Sequence, residues 1–150
     1  MPKLYMMVGL PGSGKSTYIR DNLDYIPCIS SDAYIDDYAR SINSTYEAVF
    51  DHYIKEAEIH MWSYAKSERV RKSDVVIDRT NLSVKSRRRW LNYYKGWEPH
   101  CIVVSTEDVF ERNLKRADKK IPLDVIRKMS SSYQVPTYSE GFKSITFIKT

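Results

Sequence analysis

The segment from Gly9 to Thr17 carries the most specific chemistry in the sequence. It reads GLPGSGKST and matches the pattern G-x-x-x-x-G-K-[ST]. Glycines at these positions let successive backbone N–H groups turn toward phosphate oxygens, and the helix that follows contributes its positive end. The residues predicted to bind a nucleotide are Gly9, Pro11, Gly12, Ser13, Gly14, Lys15, Ser16 and Thr17. Of these, Lys15 is suited to the β- and γ-phosphates of ATP or another NTP, and the Ser16 hydroxyl is suited to Mg²⁺.

Two acids follow apolar runs and are the candidates for proton transfer and metal binding. Asp32 comes just after the run that ends at Ile29, and Asp78 directly follows the run that ends at Ile77. Because ligands of an open parallel sheet bind beyond the carboxyl ends of its strands, both acids are expected beside the phosphate-binding loop. Asp32 is predicted to act as a general base, or to cap the helix that follows it. Asp78 is predicted to hold Mg²⁺ directly or through water, or to form a turn.

Further polar side chains are expected at the same edge. Arg79, Thr80 and Asn81 follow the second acid and are suited to a phosphate or a hydroxyl of the acceptor. Arg112 and Arg116 are one helical turn apart, so that they could share one helix face and close over the phosphates. Without the loop beside them, these two would be ordinary surface arginines.

Short apolar runs predict the strands that would position these residues. The runs are Leu4–Val8, Tyr25–Ile29, Val75–Ile77, Cys101–Val104 and Ile145–Ile148. Runs of this length are typical of strands that are buried on both faces.

The segments between the runs have helical patterns. Apolar residues over Tyr46–Ala65 recur at three- and four-residue steps, and Ser44 with Glu47 predicts a capping box at the start of that helix. Further helices are predicted over Val84–Tyr94 after Ser83, over Thr106–Arg116 after Ser105, and with Pro122 in a first turn. Strands that alternate with helices indicate right-handed βαβ units. The predicted fold is therefore α/β, a P-loop fold with a central parallel sheet of about five strands and helices on both faces.

Length and composition are those of one globular domain over residues 1–150. Of the 150 residues, 42% are hydrophobic and 29% are charged, which argues against a disordered chain. No apolar run approaches the roughly 20 residues of a membrane helix, and the first ten residues do not form a signal peptide. We therefore expect no membrane partner and a cytoplasmic location, that of the host cell if a phage encodes the protein. Cys28 and Cys101 are expected to be buried, reduced thiols.

The chain carries 24 Lys and Arg against 19 Asp and Glu, a net charge of +5. The excess is concentrated in clusters at 69–72, 85–89 and 115–120. Such clusters are suited to a partner that carries phosphates, although a solvated helix face has the same composition. Trp90 lies beside the second cluster and could stack on a base, although aromatic residues at helical spacing are more often core. The three histidines have no spacing that indicates metal or triad chemistry.

Residues outside the phosphate-binding loop indicate the class of reaction. A GTPase would be expected to carry an Asn-Lys-x-Asp motif, and the sequence contains none. A phosphotransferase requires positive charge around the transferred phosphoryl group and a carboxylate for the acceptor's proton, and the sequence offers both.

At this level of detail the sequence resembles the kinase domain of polynucleotide 5′-kinases, and the phage enzymes more closely than their cellular relatives. The resemblance depends on segments that occur in the family's order and spacing: 9–17, SSDAY at 30–34, IDRTNL at 77–82, RRRW at 87–90, ERNLKR at 111–116, KIPLDVIRKM at 120–129 and VPTYSEGF at 135–142. It implies a repair enzyme that transfers the γ-phosphate of ATP or another NTP, with Mg²⁺, to the 5′-hydroxyl end of DNA or RNA.

The resemblance also implies roles for individual residues. Asp32 matches the general base, and Lys15 and Ser16 match the phosphate and Mg²⁺ ligands. Arg116 matches the arginine that stabilises the transition state, with Arg112 near the nucleotide. Thr80 belongs to the segment that contacts the acceptor strand, and Ile121 lies where the family packs an apolar side chain against the acceptor's terminal base.

Two positions depart from the phage pattern. Ile35 replaces an arginine that grips the acceptor phosphate, and Arg79 replaces an acid. We infer the hypothesis that Arg79 supplies the missing positive charge. The signatures of a fused phosphatase or ligase are absent, which favours a stand-alone kinase. A kinase of a small metabolite or nucleoside and a non-catalytic, NTP-regulated nucleic-acid-binding module remain the alternatives, and the oligomeric state stays open.

Overall fold

Five parallel strands form the centre of the structure, a computed structural model that describes residues 1–116 and 121–150. The strands are β1 (Lys3–Val8), β2 (Cys28–Ile29), β3 (Val75–Ile77), β4 (Glu98–Ser105) and β5 (Ser144–Lys149). Their order is β2-β3-β1-β4-β5, and every neighbouring pair is parallel. The predicted parallel sheet of five strands is confirmed. The carboxyl ends of the central strands β1, β3 and β4 meet at one edge, which is where ligands of such sheets bind.

Helices connect the strands and cover both faces of the sheet. They are α1 (Lys15–Asn22), α2 (Asp32–Ser41), α3 (Tyr46–Arg71), α4 (Val84–Tyr93), α5 (Val109–Lys115) and α6 (Leu123–Ser131), and a 3₁₀ turn spans Tyr138–Glu140. None of the helices in the described part of the chain combines the length and the apolar character needed to cross a bilayer.

The strand residues alternate between two apolar clusters, one on each face. On the first face, Met7 of β1 packs with Ile19 and Leu23 of the α1 region. On the second face, Met6 of β1 packs with Met61 of α3 and Trp90 of α4. The side chains of a strand point alternately to its two faces, so both faces of these apolar strands are buried.

The second strand is shorter than predicted. Only Cys28 and Ile29 pair, both with β3, and Tyr25 is 83% exposed. Because β2 is an edge strand, Cys28 is exposed, and the prediction of a buried thiol there is wrong. Cys101, in the middle of the sheet, is buried as predicted, and burial raises its pKa to about 12. Both cysteines are free thiols.

Two predicted helix starts are shifted. Thr45, not Ser44, caps α3, because its side chain accepts a hydrogen bond from Ala48 N at 3.2 Å. Ser105 does not cap α5: it is the last residue of β4 and pairs with β5, so α5 begins only at Val109. Strand pairing has overridden a local capping preference here. Pro122 directly precedes α6, whereas the prediction placed it in the first turn. The predicted cap at Ser83 is confirmed, with a reciprocal bond to Ser86.

One residue of the cluster at 85–89 is buried, and so is Trp90, which directly follows it. Arg87 is fully buried, and its guanidinium pairs with Glu140 at 2.8 Å and donates to Asn81 O and Leu82 O. Trp90 is 3% exposed and stacks on Trp62 with 4.3 Å between ring centroids. Trp90 is therefore a core residue, and the idea that it stacks on a base is wrong. The cluster at 115–120 extends beyond the described residues.

Candidate active site

The loop between β1 and α1 has the backbone of a phosphate cradle. Gly12 and Gly14 have φ angles of +81° and +110°, which L side chains rarely adopt. A side chain at Gly9 would lie 2.4 Å from Val104 O, so the loop can pack against the end of β4 only with glycine there. Ser13 is 2% exposed, and its Oγ has no hydrogen-bond partner among the described residues. The loop thus has the shape and the hydroxyl groups that polyphosphate binding requires.

Lys15 lies across the mouth of this loop. Its Nζ donates to Gly9 O at 2.7 Å and to Leu10 O at 2.9 Å. Burial lowers the pKa of Lys15 to about 8, although the charges of Asp78 and Asp32 act in the opposite direction. The two predicted acids and Lys15 are therefore assembled at one edge of the sheet, as the sequence indicated.

Asp32 is the first residue of α2 and does not cap it. Its backbone N–H donates to Ser30 Oγ at 3.2 Å, and its Oδ1 accepts a 2.7 Å hydrogen bond from the Tyr46 hydroxyl. Tyr46 is the first residue of α3 and is 9% exposed. Burial raises the pKa of Tyr46, and the charge of Asp32 and the hydrogen bond to it raise the pKa further. Tyr46 is therefore a neutral donor that orients one carboxylate oxygen.

The sequence reasoning missed this role of Tyr46, because the residue fits the apolar face of α3. The signal that could have found it is its place in the first turn of a helix that follows a short connection from α2. The chain turns back at the end of α2, where Ser44 N–H donates to Ala39 O, and from there the Tyr46 side chain reaches along α2 to Asp32.

Asp78 and Ser16 are the predicted metal ligands. Asp78 follows β3, where its backbone N–H donates to Ile29 O at 2.9 Å, and its carboxylate is the acid with the largest effect on Lys15. Ser16 is exposed in the first turn of α1. No group of three His, Cys, Asp or Glu residues in the described ranges is arranged to hold a metal. A site with one carboxylate, one hydroxyl and otherwise phosphate and water oxygens fits Mg²⁺, which keeps several waters and binds substrate phosphates.

Two arginines from the α5 region approach the loop. Arg112 Nη1 donates to Thr150 Oγ1 at 3.1 Å and lies 3.5 Å from Gly12 O. A side chain at Gly12 would lie 3.9 Å from Arg116 Nη1. Both arginines therefore contribute positive charge at the loop, and they are not the isolated surface residues of the alternative interpretation.

Thr80 and Asn81, which were predicted to contact the acceptor, bind other parts of the protein. Asn81 is 3% exposed, and its side-chain amide donates to Met7 O at 2.8 Å. The Thr80 carbonyl accepts from Gly9 N at 3.0 Å. Asn81 thus joins β1 to the β3 loop, and the predicted acceptor contact through its side chain does not fit this burial. The Thr80 backbone anchors the start of the phosphate-binding loop.

Arg79 is bound to α3. Its guanidinium donates to Glu58 Oε1 at 3.1 Å and to Met61 Sδ at 3.2 Å, and the side chain is 30% exposed. Ile35, which replaces the arginine of the phage pattern, is fully buried between α2 and α3. Position 35 is therefore part of the core, which explains why it is apolar.

Ile121 lies just before α6. Its backbone N–H donates to Asn113 Oδ1 at 2.8 Å, and its carbonyl accepts from the same side chain. The side chain is partly exposed, as a contact with a ligand would require.

Comparisons with known proteins agree with this architecture. A family model described as AAA domain matches residues 4–136. The bifunctional polynucleotide phosphatase/kinase of Schizosaccharomyces pombe is 25% identical over 151 residues, which are 95% of this chain and 32% of that protein. The chain thus spans about a third of the length of this curated relative.

Three solved structures have the same fold. A candidate kinase from Chloroflexus aurantiacus has a TM-score of 0.73 at 16% identity, over 99% of this chain and 85% of that chain. A sugar kinase from Janibacter has a TM-score of 0.60 at 15% identity, over 99% and 86% of the two chains. Kti12 of Chaetomium thermophilum, solved with ADP-AlF₃, has a TM-score of 0.61 at 16% identity, over 97% and 88%.

Proposed function

The chain belongs to the AAA domain family and has the fold of P-loop kinases, and from this premise we propose that it is a polynucleotide 5′-hydroxyl kinase. The reaction is the transfer of the γ-phosphate of ATP or another NTP to the 5′-hydroxyl end of DNA or RNA. The observation that carries the proposal is the Asp32 carboxylate, held by Tyr46 beside the phosphate-binding loop. Such a carboxylate is what an acceptor hydroxyl needs in order to lose its proton.

In this proposal the 5′-hydroxyl oxygen attacks the γ-phosphorus in line with the leaving oxygen of the nucleoside diphosphate. The new O–P bond forms as the bond to the β–γ bridging oxygen breaks, and the hydroxyl proton moves to Asp32. Because Oδ1 of Asp32 accepts the Tyr46 hydrogen bond, Oδ2 is the oxygen that receives the proton. The nucleoside diphosphate leaves with the electron pair of the broken bond.

The cationic side chains stabilise the charge that spreads over the transferred phosphoryl group. Lys15 leaves its two backbone acceptors and contacts the β- and γ-phosphates, and Arg116 contacts the phosphoryl oxygens from the opposite side of the loop. Arg112 lies on the nucleotide side. Ser16 and Asp78 would hold Mg²⁺, which supplies positive charge to the β- and γ-phosphate oxygens when it is bound.

The acceptor class is supported by sequence similarity. The bifunctional polynucleotide phosphatase/kinase of S. pombe aligns with 95% of this chain over 32% of its own length, and the pattern segments 9–17, 30–34, 77–82 and 111–116 contribute residues to the site described above. The base, the loop and the arginines come from separate parts of the sequence, so their meeting at one edge is a result of the fold.

A kinase of a small metabolite is the second candidate, and the sugar kinase neighbour favours it. Such an enzyme would use the same loop, acid and arginines, and would differ in the length of its acceptor. A non-catalytic, NTP-regulated nucleic-acid-binding module would bind its ligands without any need for Asp32.

The test is label transfer from γ-labelled ATP, with Mg²⁺, to a 5′-hydroxyl oligonucleotide, a 3′-mononucleotide, a nucleoside and a set of sugars. Asp32→Asn is the variant, and Asp37→Asn, an exposed acid on the same helix, is the matched control. We expect transfer to the oligonucleotide, a decrease of at least about 100-fold in Asp32→Asn as general-base catalysis implies, and wild-type rates in Asp37→Asn. Transfer only to a nucleoside or sugar would support the second candidate. Nucleotide binding without transfer to any acceptor would reject the kinase proposal.

A further inference from the structure

The excess of positive over negative charge is concentrated in two segments of the chain. Residues 62–72 and 84–95 together contain nine of the 24 Lys and Arg residues but only one of the 19 Asp and Glu residues. The rest of the chain therefore carries more acids than bases. We call these two segments the basic seam. They comprise the second half of α3, the whole of α4 and the residues that directly follow each helix.

The two helices of the basic seam lie side by side. Arg89 of α4 lies 4.5 Å from the ring centroid of Trp62 in α3, and Arg69 of α3 lies 5.0 Å from the ring of Tyr93 in α4. Both helices run in the same direction: Trp62 precedes Arg69 in α3, and their respective partners Arg89 and Tyr93 follow the same order in α4. The cation–π contacts hold two of the guanidinium groups at the surface of the seam.

The charges of the basic seam are not neutralised locally. Its one acid, Glu68, is 4% exposed and lies 3.6 Å from Arg71, and the buried Arg87 has its own partner in Glu140. Among residues 1–116 and 121–150, none of the remaining seven Lys and Arg side chains of the seam forms an ion pair. These exposed side chains are Lys66, Arg69, Lys72, Lys85, Arg88, Arg89 and Lys95.

The basic seam begins at the candidate active site. α4 starts directly after the segment 78–83, and Arg79 in that segment contacts α3 at Glu58, one turn before Trp62, and at Met61, directly before Trp62. From there α4 extends for about 15 Å at 1.5 Å per residue. That length corresponds to about four phosphates of one strand in a duplex, at about 3.4 Å per phosphate. An open groove on α4 is lined by Ser83, Lys85, Ser86, Arg88, Arg89 and Asn92.

We propose that the basic seam binds the phosphodiester backbone of the acceptor strand, on the 3′ side of the reacting end. This inference rests on the proposed function, because it assigns the surface that makes a polynucleotide a better acceptor than a mononucleotide. Exposed Lys and Arg release counterions from phosphates without reading the bases, so the binding is independent of sequence. The exposed parts of Trp62 and Tyr93 keep the guanidinium groups in place and are not intercalating groups.

The experiment compares two triple variants of equal charge. Arg69→Gln/Lys85→Gln/Arg88→Gln removes three cations of the seam, and Lys3→Gln/Arg20→Gln/Lys143→Gln removes three exposed cations elsewhere. Fluorescence anisotropy measures the binding of a labelled single strand of about 20 nucleotides that already carries a 5′-phosphate, from about 50 to about 200 mM salt. We expect the seam triple to reduce the slope of log K against log salt by about 2, with an affinity loss of up to about 100-fold at about 0.1 M salt. We expect the control triple to bind like the wild type.

Activity provides the second readout. The seam triple should raise KM for the long acceptor. With a 3′-mononucleotide as acceptor, both kcat and KM should stay unchanged. If the two triples bind the strand equally, the seam proposal is wrong, whether or not the chain transfers phosphate. If only the seam triple loses binding and no acceptor is phosphorylated, the proposed function fails, and the seam binds nucleic acid without being the acceptor site of a kinase.

Two further measurements keep the result unambiguous. Sedimentation with phosphatidylserine vesicles tests an anionic membrane as the partner: binding that the seam triple abolishes, together with no binding of the oligonucleotide, would overturn the proposal. Urea unfolding compares the stability of both triples. Should the seam triple unfold, the single variants Lys85→Gln and Arg88→Gln replace it, and each is expected to reduce the slope by about 0.7.

Discussion

The hydroxyl of Tyr46 donates a 2.7 Å hydrogen bond to Oδ1 of Asp32, and this bond joins the first residue of α3 to the first residue of α2. The two helices thereby fix the carboxylate at the edge of the sheet where the phosphate-binding loop lies. Because the Tyr46 ring is buried with a raised pKa, its hydroxyl remains a donor throughout the range in which the enzyme would work.

Tyr46→Phe is expected to lower kcat about tenfold or more, because a hydrogen bond to a charged group is worth about 1.5–3 kcal/mol. KM for ATP should change less than kcat, since the hydroxyl binds the Asp32 carboxylate. Tyr53→Phe, in an aromatic pair on the same helix, serves as the control and should behave like the wild type. In an Asp32→Asn background, Tyr46→Phe should have little additional effect. Full additivity of the two substitutions would mean that Tyr46 acts by a route other than Asp32.

Arg79→Ala is expected to raise KM for an acceptor that carries a 3′-phosphate, if its partly exposed guanidinium supplies the charge that Ile35 lacks. Glu58→Gln removes the ion-pair partner of Arg79 and should leave that KM unchanged or lower it. Steady-state kinetics with the two variants separates these effects. An unchanged KM in Arg79→Ala would show that Arg79 only connects the β3 loop to α3.

Nucleotide binding at pH 8 is expected to take up about half a proton at Lys15. The pKa of Lys15 is lowered to about 8 by burial, so about half of the free protein lacks this charge at that pH. The phosphates of a bound nucleotide favour the charged form, and affinity should therefore fall as the pH rises above 8. Calorimetry in two buffers of different ionisation enthalpy measures the uptake. Lys15→Arg, which stays charged, is the control, and an equal uptake in both proteins would contradict this origin of the proton.

Glu140→Gln is expected to destabilise the protein by about 3 kcal/mol, because it leaves the fully buried Arg87 without its counter-charge. Asp37→Asn removes an acid from an exposed pair with Arg40 and should cost less than about 1 kcal/mol. Urea unfolding at neutral pH measures both. A loss of similar size in the two variants would mean that burial does not strengthen the Arg87–Glu140 pair.

The pH dependence of that stability has a definite sign. Burial acts to raise the pKa of Glu140, but the hydrogen bonds from Arg87 and from the Thr137 backbone outweigh it and leave the pKa lowered. The stabilisation from Glu140 is therefore complete above its ordinary value of 4.5 and is lost as the pH falls through its lowered pKa. Glu140→Gln should accordingly flatten the acid side of the stability curve.

The sequence by itself determined the features of this protein that depend on residues close together in the chain. The phosphate-binding loop needs glycines, a lysine and a hydroxyl within nine positions, and five apolar runs predict five strands. The positions of Asp32 and Asp78 after strands place them at the ligand-binding edge because all strands of a parallel sheet end there. These properties are local, so a linear pattern can specify them.

Only the tertiary structure decided which polar side chains pair with each other. Asp32 and Tyr46 are 14 residues apart, Arg79 and Glu58 are 21 apart, and Arg87 and Glu140 are 53 apart. No spacing rule connects such positions, because their contact depends on how α2, α3 and α4 pack on the sheet. The same packing buries Arg87 and Trp90 within a run that is otherwise exposed, while the edge position of β2 exposes Cys28. A polar or aromatic side chain acts on a ligand only where the fold leaves it accessible, and that accessibility is a property of the packed chain.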